Sequence, residues 1–350
     1  MSKYLWERKE WYEFKYKAEL LIAPLAKLRM LQGILLGKIY VLGAITQPAV
    51  MNIPKKPENN RYEDTRTNRF TLINNIGLGG NEVISSEKYY RVIVNAIHKS
   101  DIPLTIEQLK EWNKQLSIHD YSDIFNIENI IGRSGKHYSN DKDICKNKDL
   151  LTFVTWWNTS LNKMDGVIRA ASALLWFQTI QPFERNNKWI ATILSDIALT
   201  QDEGSKMRLY TISYQLAKAQ SEYNEIVDAV QKGRQSIEKW YVWFIGKVTE
   251  AIKEADIEIE KIMTKKHFWD KHWNTDLNLR QKQVINDLLE DNSKNPILNT
   301  TRYLEITKTS RPTAVREIGG LLKKGIIFHI GSKKGKYVKY GLCESGRKEY

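Results

Sequence analysis

One short run holds the residues best suited to chemistry: Gln181-Pro182-Phe183-Glu184-Arg185-Asn186-Asn187-Lys188-Trp189, where charged and amide side chains interrupt two apolar stretches. Arg185 and Lys188, with Asn186 and Asn187 between them, have the donors to hold an anion such as a phosphate without a metal ion. The competing reading makes both cations solvated surface charges. A second set lies near the end of the sequence, with Ser310, Arg311, Thr313 and Arg316 opening a helical pattern and Lys333, Lys334 and Lys336 following it. Lysines suit phosphate contacts, and Arg can also read guanine through a bidentate pair.

Elements of regular structure must position both sets. The first run is a helix-to-helix loop, marked by Pro182 and the two Asn, between apolar helices expected at Asp165–Thr179 and Trp189–Leu199. Leu21, Leu25, Leu28, Leu31 and Leu35 recur at helical spacing and predict a helix over about Lys17–Gly43. Pro48, Pro54 and Pro57 then read as a break over 46–62. Further helices are expected at Lys88–Lys99, Ile106–Leu116, Ser213–Gln231 and Ser236–Met263, around an irregular stretch from Ser117 to Asn147. The last part changes character: helices at Leu279–Leu289, Asn299–Thr307 and Thr313–Lys324, then strands at Ile326–Ile330 and Tyr337–Tyr340. Thr309, Ser310 and Pro312 would start the third of these helices and Gly325 would end it. Three helices followed by a basic β-hairpin predict a winged helix.

At 350 residues the chain calls for more than one core. An apolar fraction of 42% with 27% charged residues fits globular domains and excludes a disordered class. Cys145 and Cys343 match no metal or disulfide spacing. The opening Met1-Ser2-Lys3-Tyr4-Leu5-Trp6-Glu7-Arg8-Lys9-Glu10 has no signal-peptide apolar region, and no run is read as long enough to span a membrane, so a cytoplasmic location is expected. The net charge is +13, and residues 311–350 hold ten Lys/Arg against three Glu, 10 − 3 = +7. Such a concentration suits an anionic partner, although a lysine-rich surface also serves solubility.

The run from Leu174 to Ala191 resembles the signature loop of the Fic family, H-P-F-x-[DE]-G-N-G-R, with Pro182, Phe183 and Asn187 matching in register. Leu175-Trp176-Phe177 before it and Asp196-Ile197-Ala198-Leu199 after it resemble the flanking helices. Tyr4–Arg8 through Leu31–Gly37, then Tyr210-Thr211-Ile212-Ser213 with Tyr223 and Gln231-Lys232-Gly233, and last the terminal winged helix, are similar to a bacterial Fic subgroup. The resemblance implies a mainly α fold in three parts: an N-terminal helical region over 1–80, a Fic core over 81–265 and a winged-helix (α+β) domain over 276–345.

It also implies a chemistry that this chain departs from. In the family the motif His deprotonates a target hydroxyl that attacks the α-phosphate of ATP. Here that position is Gln181, and an amide cannot hold a proton at neutral pH. The Mg²⁺-ligating acid is replaced by Arg185, which argues against Mg²⁺ while leaving ATP as the nucleotide such a loop would take. The two glycines become Asn186 and Lys188; Asn tolerates left-handed backbone angles and Lys does so rarely. The phosphate-clamping Arg becomes Trp189, so Asn187 alone survives of the polar set, with Phe183 beside it. Shifting the alignment by one residue puts Glu184 for the acid and Lys188 for the Arg, but supplies no His. The family's inhibitory motif falls on Pro54–Asn59, where Glu58 and Asn59 remain without their Ser/Thr and without the Arg partner. His137, in the region of the family's substrate flap, reads as an exposed loop His rather than a replacement base.

The implied function is a catalytically degenerate AMP transferase acting as a regulatory or DNA-binding component. The alternative is an active nucleotidyl or phosphoryl transferase rebuilt around Arg185, Asn187 and Lys188. DNA is the partner expected for Arg311, Thr313, Arg316, Lys333, Lys334 and Lys336, by the usual docking of a winged helix. A protein target, an intact Fic relative and a homodimer stay open as partners, and no membrane is expected.

Overall fold

In a computed structural model, the described residues are 4–8, 11–51, 87–117, 148–204, 210–291, 296–331 and 338–343. Contacts divide the chain into Met1–Asp256 and Ile257–Tyr350, and each unit has its own core. The predicted inhibitory residues Glu58 and Asn59, the loop His137 and the wing lysines Lys333, Lys334 and Lys336 lie outside the described residues.

The first unit is mainly α. Two short 3₁₀ turns, Leu5–Glu7 and Trp11–Glu13, precede helix α1 at Glu19–Met51. There follow α2 (Glu87–His98), α3 (Ile106–Ser117), α4 (Lys148–Ser160), α5 (Gly166–Ile180), α6 (Asn187–Glu203), α7 (Ile212–Lys218), α8 (Gln220–Gln231) and α9 (Ile237–Lys271), whose residues from Ile257 on belong to the second unit. Helices α5 and α6 pack together at the centre. Every residue from Val167 to Ile180 is buried, and so is every residue from Asn187 to Thr200. A helix buried on every side is one that other elements surround, and these two flank the candidate loop.

Around them the aromatic start of the chain closes the core. Tyr12 stacks on Trp176 at 5.1 Å, and Trp11 and Phe14 meet the same ring edge-on. Two predicted boundaries change. The break expected at Pro48 does not occur before Met51, where helix α1 ends. The helix predicted over Ser213–Gln231 divides at Ala219, whose φ of −106° and ψ of 34° leave the helical region.

Helix α1 also corrects the reading that no run is long and apolar enough to cross a membrane. Glu19–Val41, 23 residues with a mean hydropathy of 1.5, meets that length and composition. Its cations tie it to the first unit. Arg29 donates to Asp165 at 2.7 Å and forks onto Asp202, Gln32 donates to Glu203 at 3.0 Å, and Lys38 donates to Asp256 at 2.6 Å. Asp165 also caps α5, accepting from the amides of Val167 and Ile168. A Cβ on Gly166 would stand 2.3 Å from Asp202, so the start of α5 needs glycine to meet the end of α6.

The second unit contains α10 (Leu279–Glu290), α11 (Thr300–Thr307), α12 (Arg311–Lys323), β1 (Ile327–Ile330) and β2 (Lys339–Leu342). Ser310 is the N-cap of α12, Pro312 lies in its first turn, and Gly325 just beyond it takes a φ of 66°, as the start and stop signals predict. The strands pair antiparallel, with Ile327 opposite Leu342 and Ile330 opposite Lys339. Ile327 and Leu342 turn inward onto Val284, Ile285, Tyr303, Ile318 and Leu321. Leu298, between α10 and α11, exchanges both backbone hydrogen bonds with Tyr340 at 2.8 Å, adding a one-residue third strand that the sequence reading missed.

Candidate functional site

Helix α5 stops at Gln181, which takes a φ of 41° and ψ of 64° and donates its N–H to the Phe177 carbonyl at 3.1 Å. Pro182 and Phe183 then turn inward while Glu184 and Arg185 stay exposed. Asn186, at φ 64°, reverses the chain into α6. Asn is among the few side chains that accept this region readily. Its Nδ2 donates to Asn113 Oδ1 at 3.0 Å, which ties the turn to α3.

Asn187 closes the loop. Its Oδ1 accepts from the Phe183 amide at 3.0 Å and its Nδ2 donates to the Phe183 carbonyl at 2.7 Å. The side chain thereby satisfies two buried backbone groups that the tight turn would leave unpaired. Phe183 is 1% exposed and packs on Phe177, so its ring belongs to the core rather than to a nucleotide surface.

Lys188 corrects two expectations. It sits in the first turn of α6 with no positive φ, so the second family glycine position makes no left-handed demand here. Its side chain also runs inward, 4% exposed, with Nζ 4.6 Å from the centre of the Tyr223 ring. It is neither a solvated charge nor on the side of the turn where Arg185 is exposed. Burial lowers its pKa from 10.5 to about 7, since the charged form loses hydration that the ring face only partly replaces. Burial likewise pushes the Tyr223 phenol well above its ordinary value. Trp189 is 4% exposed and fills core space at the position of the family's phosphate-clamping Arg.

Chemically the turn is well tied and short of reactive groups. Gln181 offers an amide, Asn187 is committed to Phe183, and Arg185 stands in solvent. Among the described residues no group of three or more His, Cys, Asp or Glu is placed to hold a metal ion. A cavity of about 90 Å³ is lined by Asn95, Lys99, Glu111, Trp112 and Trp157, and none of residues 181–189 lines it.

In the second unit the candidate surface is α12. Arg311, Pro312, Val315, Arg316 and Lys323 are exposed, while Ala314, Glu317, Ile318 and Leu321 are buried. Thr313 is half-buried, with its hydroxyl 3.0 Å from Ser310 Oγ, so these two complete the helix start. Glu317, the only acid in α12, turns away from solvent. It accepts from Arg280 Nη2 at 2.5 Å, Tyr303 Oη at 2.7 Å and Asn278 Nδ2 at 3.0 Å. The Arg280 hydrogen bond holds its carboxyl below the usual range, against the opposing effect of burial. The outward face of α12 is left cationic or neutral.

The fold is thus a mainly α protein with a helix-loop-helix centre and a terminal helical unit carrying a short hairpin. Residues 4–52 match the model of a domain of unknown function, DUF4172. Over its length the chain is similar to the crystal structure of a Fic family protein from Desulfovibrio desulfuricans G20, at 11% identity, covering 96% of this chain and 99% of that one, with a TM-score of 0.37. A search of curated proteins gives no match.

Proposed function

We propose that this chain is a Fic-like protein without AMP transfer activity whose working surface is a DNA-binding winged helix. The observation that carries the reading is the inward anchoring of Glu317. It removes the one negative group of α12 from the face that would meet DNA, leaving Arg311, Arg316 and Lys323 exposed there with no carboxylate from the helix itself. The order of three helices and a hairpin, with Leu298 joined to β2, supports docking α12 in the major groove and the hairpin loop on the backbone.

The loop between α5 and α6 supports the silent half of the reading. A rebuilt transferase would need Arg185, Asn187 and Lys188 to converge on phosphates. Asn187 instead bonds Phe183, and Lys188 packs on Tyr223. The Fic-like scaffold then serves as a regulatory or partner-binding body.

Fluorescence anisotropy of the full chain against mixed-sequence duplex DNA tests the first half. Binding at low salt that weakens steeply as salt rises is expected, and no binding at low salt overturns it. Incubation with α-labelled ATP and a cell lysate tests the second half. Label transfer that Arg185→Ala abolishes would establish a rebuilt catalytic site.

A further inference from the structure

The outward face of α12 has a feature that charge does not explain. Val315 is 56% exposed, with Arg311 one turn before it, Arg316 beside it and Gly319 one turn after it. Gly319 lies inside the helix, where glycine is a poor choice, and a Cβ built there meets nothing within 4 Å. Its neighbour Gly320 has a reason within the unit, since a Cβ there would come 3.2 Å from Gln281 Nε2. No described residue of the unit requires glycine at 319. Gly319, half-buried but with space where a Cβ would stand, suits the close approach of another molecule to the backbone.

We infer that Val315 and Gly319 form the base-reading strip of α12, with Val315 packing on the 5-methyl group of a thymine and Gly319 letting the neighbouring nucleotide come into van der Waals contact. This rests on the DNA reading above and deepens it. The thymine methyl is the one apolar group that the major groove presents, and an exposed β-branched side chain between two arginines is its natural complement. Arg311 and Arg316 flank the strip with donors for guanine O6 and N7 or for phosphate. The site is therefore a duplex whose major groove presents a thymine methyl to this strip.

The test is selection of a random duplex library by the full chain, followed by anisotropy on the selected duplex with each thymine in turn replaced by deoxyuracil, which removes only the methyl. One replacement is expected to weaken the wild-type chain by about fourfold, the value of one buried methyl. Val315→Ala should bind the thymine and uracil duplexes equally. Gly319→Ala supplies a readout that a structural role would not give: its melting temperature should rise while its affinity for the selected duplex falls. Retention of no duplex at low salt overturns the DNA reading together with this inference. Three outcomes overturn this inference alone: retention with no enriched thymine, a uracil penalty that persists in Val315→Ala, or undiminished binding by Gly319→Ala.

Discussion

Asn187 shows at the level of one residue how a polar side chain in a candidate loop can serve the scaffold. Its amide satisfies the Phe183 N–H and C=O, both in a buried turn, and their loss would cost about 1–3 kcal/mol. Asn187→Ala should lower stability by that amount in denaturant unfolding, with or without nucleotide. An unchanged midpoint would show that water replaces both bonds. For the same reason Asn187→Ala is a poor probe of catalysis, whereas the exposed Arg185 can be replaced without disturbing the core. On the proposed reading, Gln181→His should not produce label transfer from α-labelled ATP, because Trp189 fills core space and adds no cation to the turn. Transfer by that single variant would mean that the loop binds ATP after all.

Lys188 gives a pH signature of its own. Its folded pKa, about 7, lies below the ordinary 10.5 because of burial. Between these values the unfolded chain holds the proton and the folded chain does not. Stability contributed through this group therefore rises with pH across the window, with a slope of up to about 1.4 kcal/mol per pH unit. Urea unfolding from pH 7 to pH 9.5 should show the rise in the wild-type chain and a flatter profile in Lys188→Met. Equal slopes in both would mean that the ammonium stays charged inside the fold.

At the scale of elements, α1 is joined to the centre through the ends of α5 and α6. Asp165 joins the two jobs, capping α5 and receiving Arg29, so Asp165→Ala removes a cap and half of the clamp together. The expected loss is about 1–2 kcal/mol, most of it from the cap, since the Arg29 pair is partly exposed and screened. Hydrogen exchange should also quicken along α1 in that variant; unchanged protection there would assign its docking to the buried Leu21, Leu28 and Leu35 and to the remaining contacts with Asp202, Glu203 and Asp256. In the second unit, Glu317→Ala leaves the buried Tyr303 hydroxyl without its acceptor and should lower stability by about 1–3 kcal/mol. Periodicity made most of these elements legible, because amphipathic spacing and the signals at Ser310, Pro312 and Gly325 are local. The division at Ala219 and the pairing of Leu298 with Tyr340 were not legible, since each depends on packing against distant chain.

For the whole molecule, charge is the quantity that reaches beyond individual contacts. Of the net +13, the last forty residues carry +7. If Lys333, Lys334 and Lys336 each meet a phosphate, replacing all three by Ala should reduce the slope of log affinity against log salt by about three units, with little change in base preference. An unchanged slope in anisotropy titrations would remove the wing from the contact.

The sequence by itself determined what the α5–α6 loop lacks. Gln181 cannot act as a base and Arg185 cannot ligate a metal ion in any fold, because those limits are properties of the side chains. It also determined the helix-rich architecture and the basic end, which follow from periodicity and composition. Tertiary structure alone decided where the remaining groups point. Lys188 turns to Tyr223, Asn186 reaches Asn113, and Glu317 withdraws from the face of α12. Side-chain direction is set by partners brought together from far along the chain, and the balance of burial against hydration that fixes each choice exists only once the core has formed.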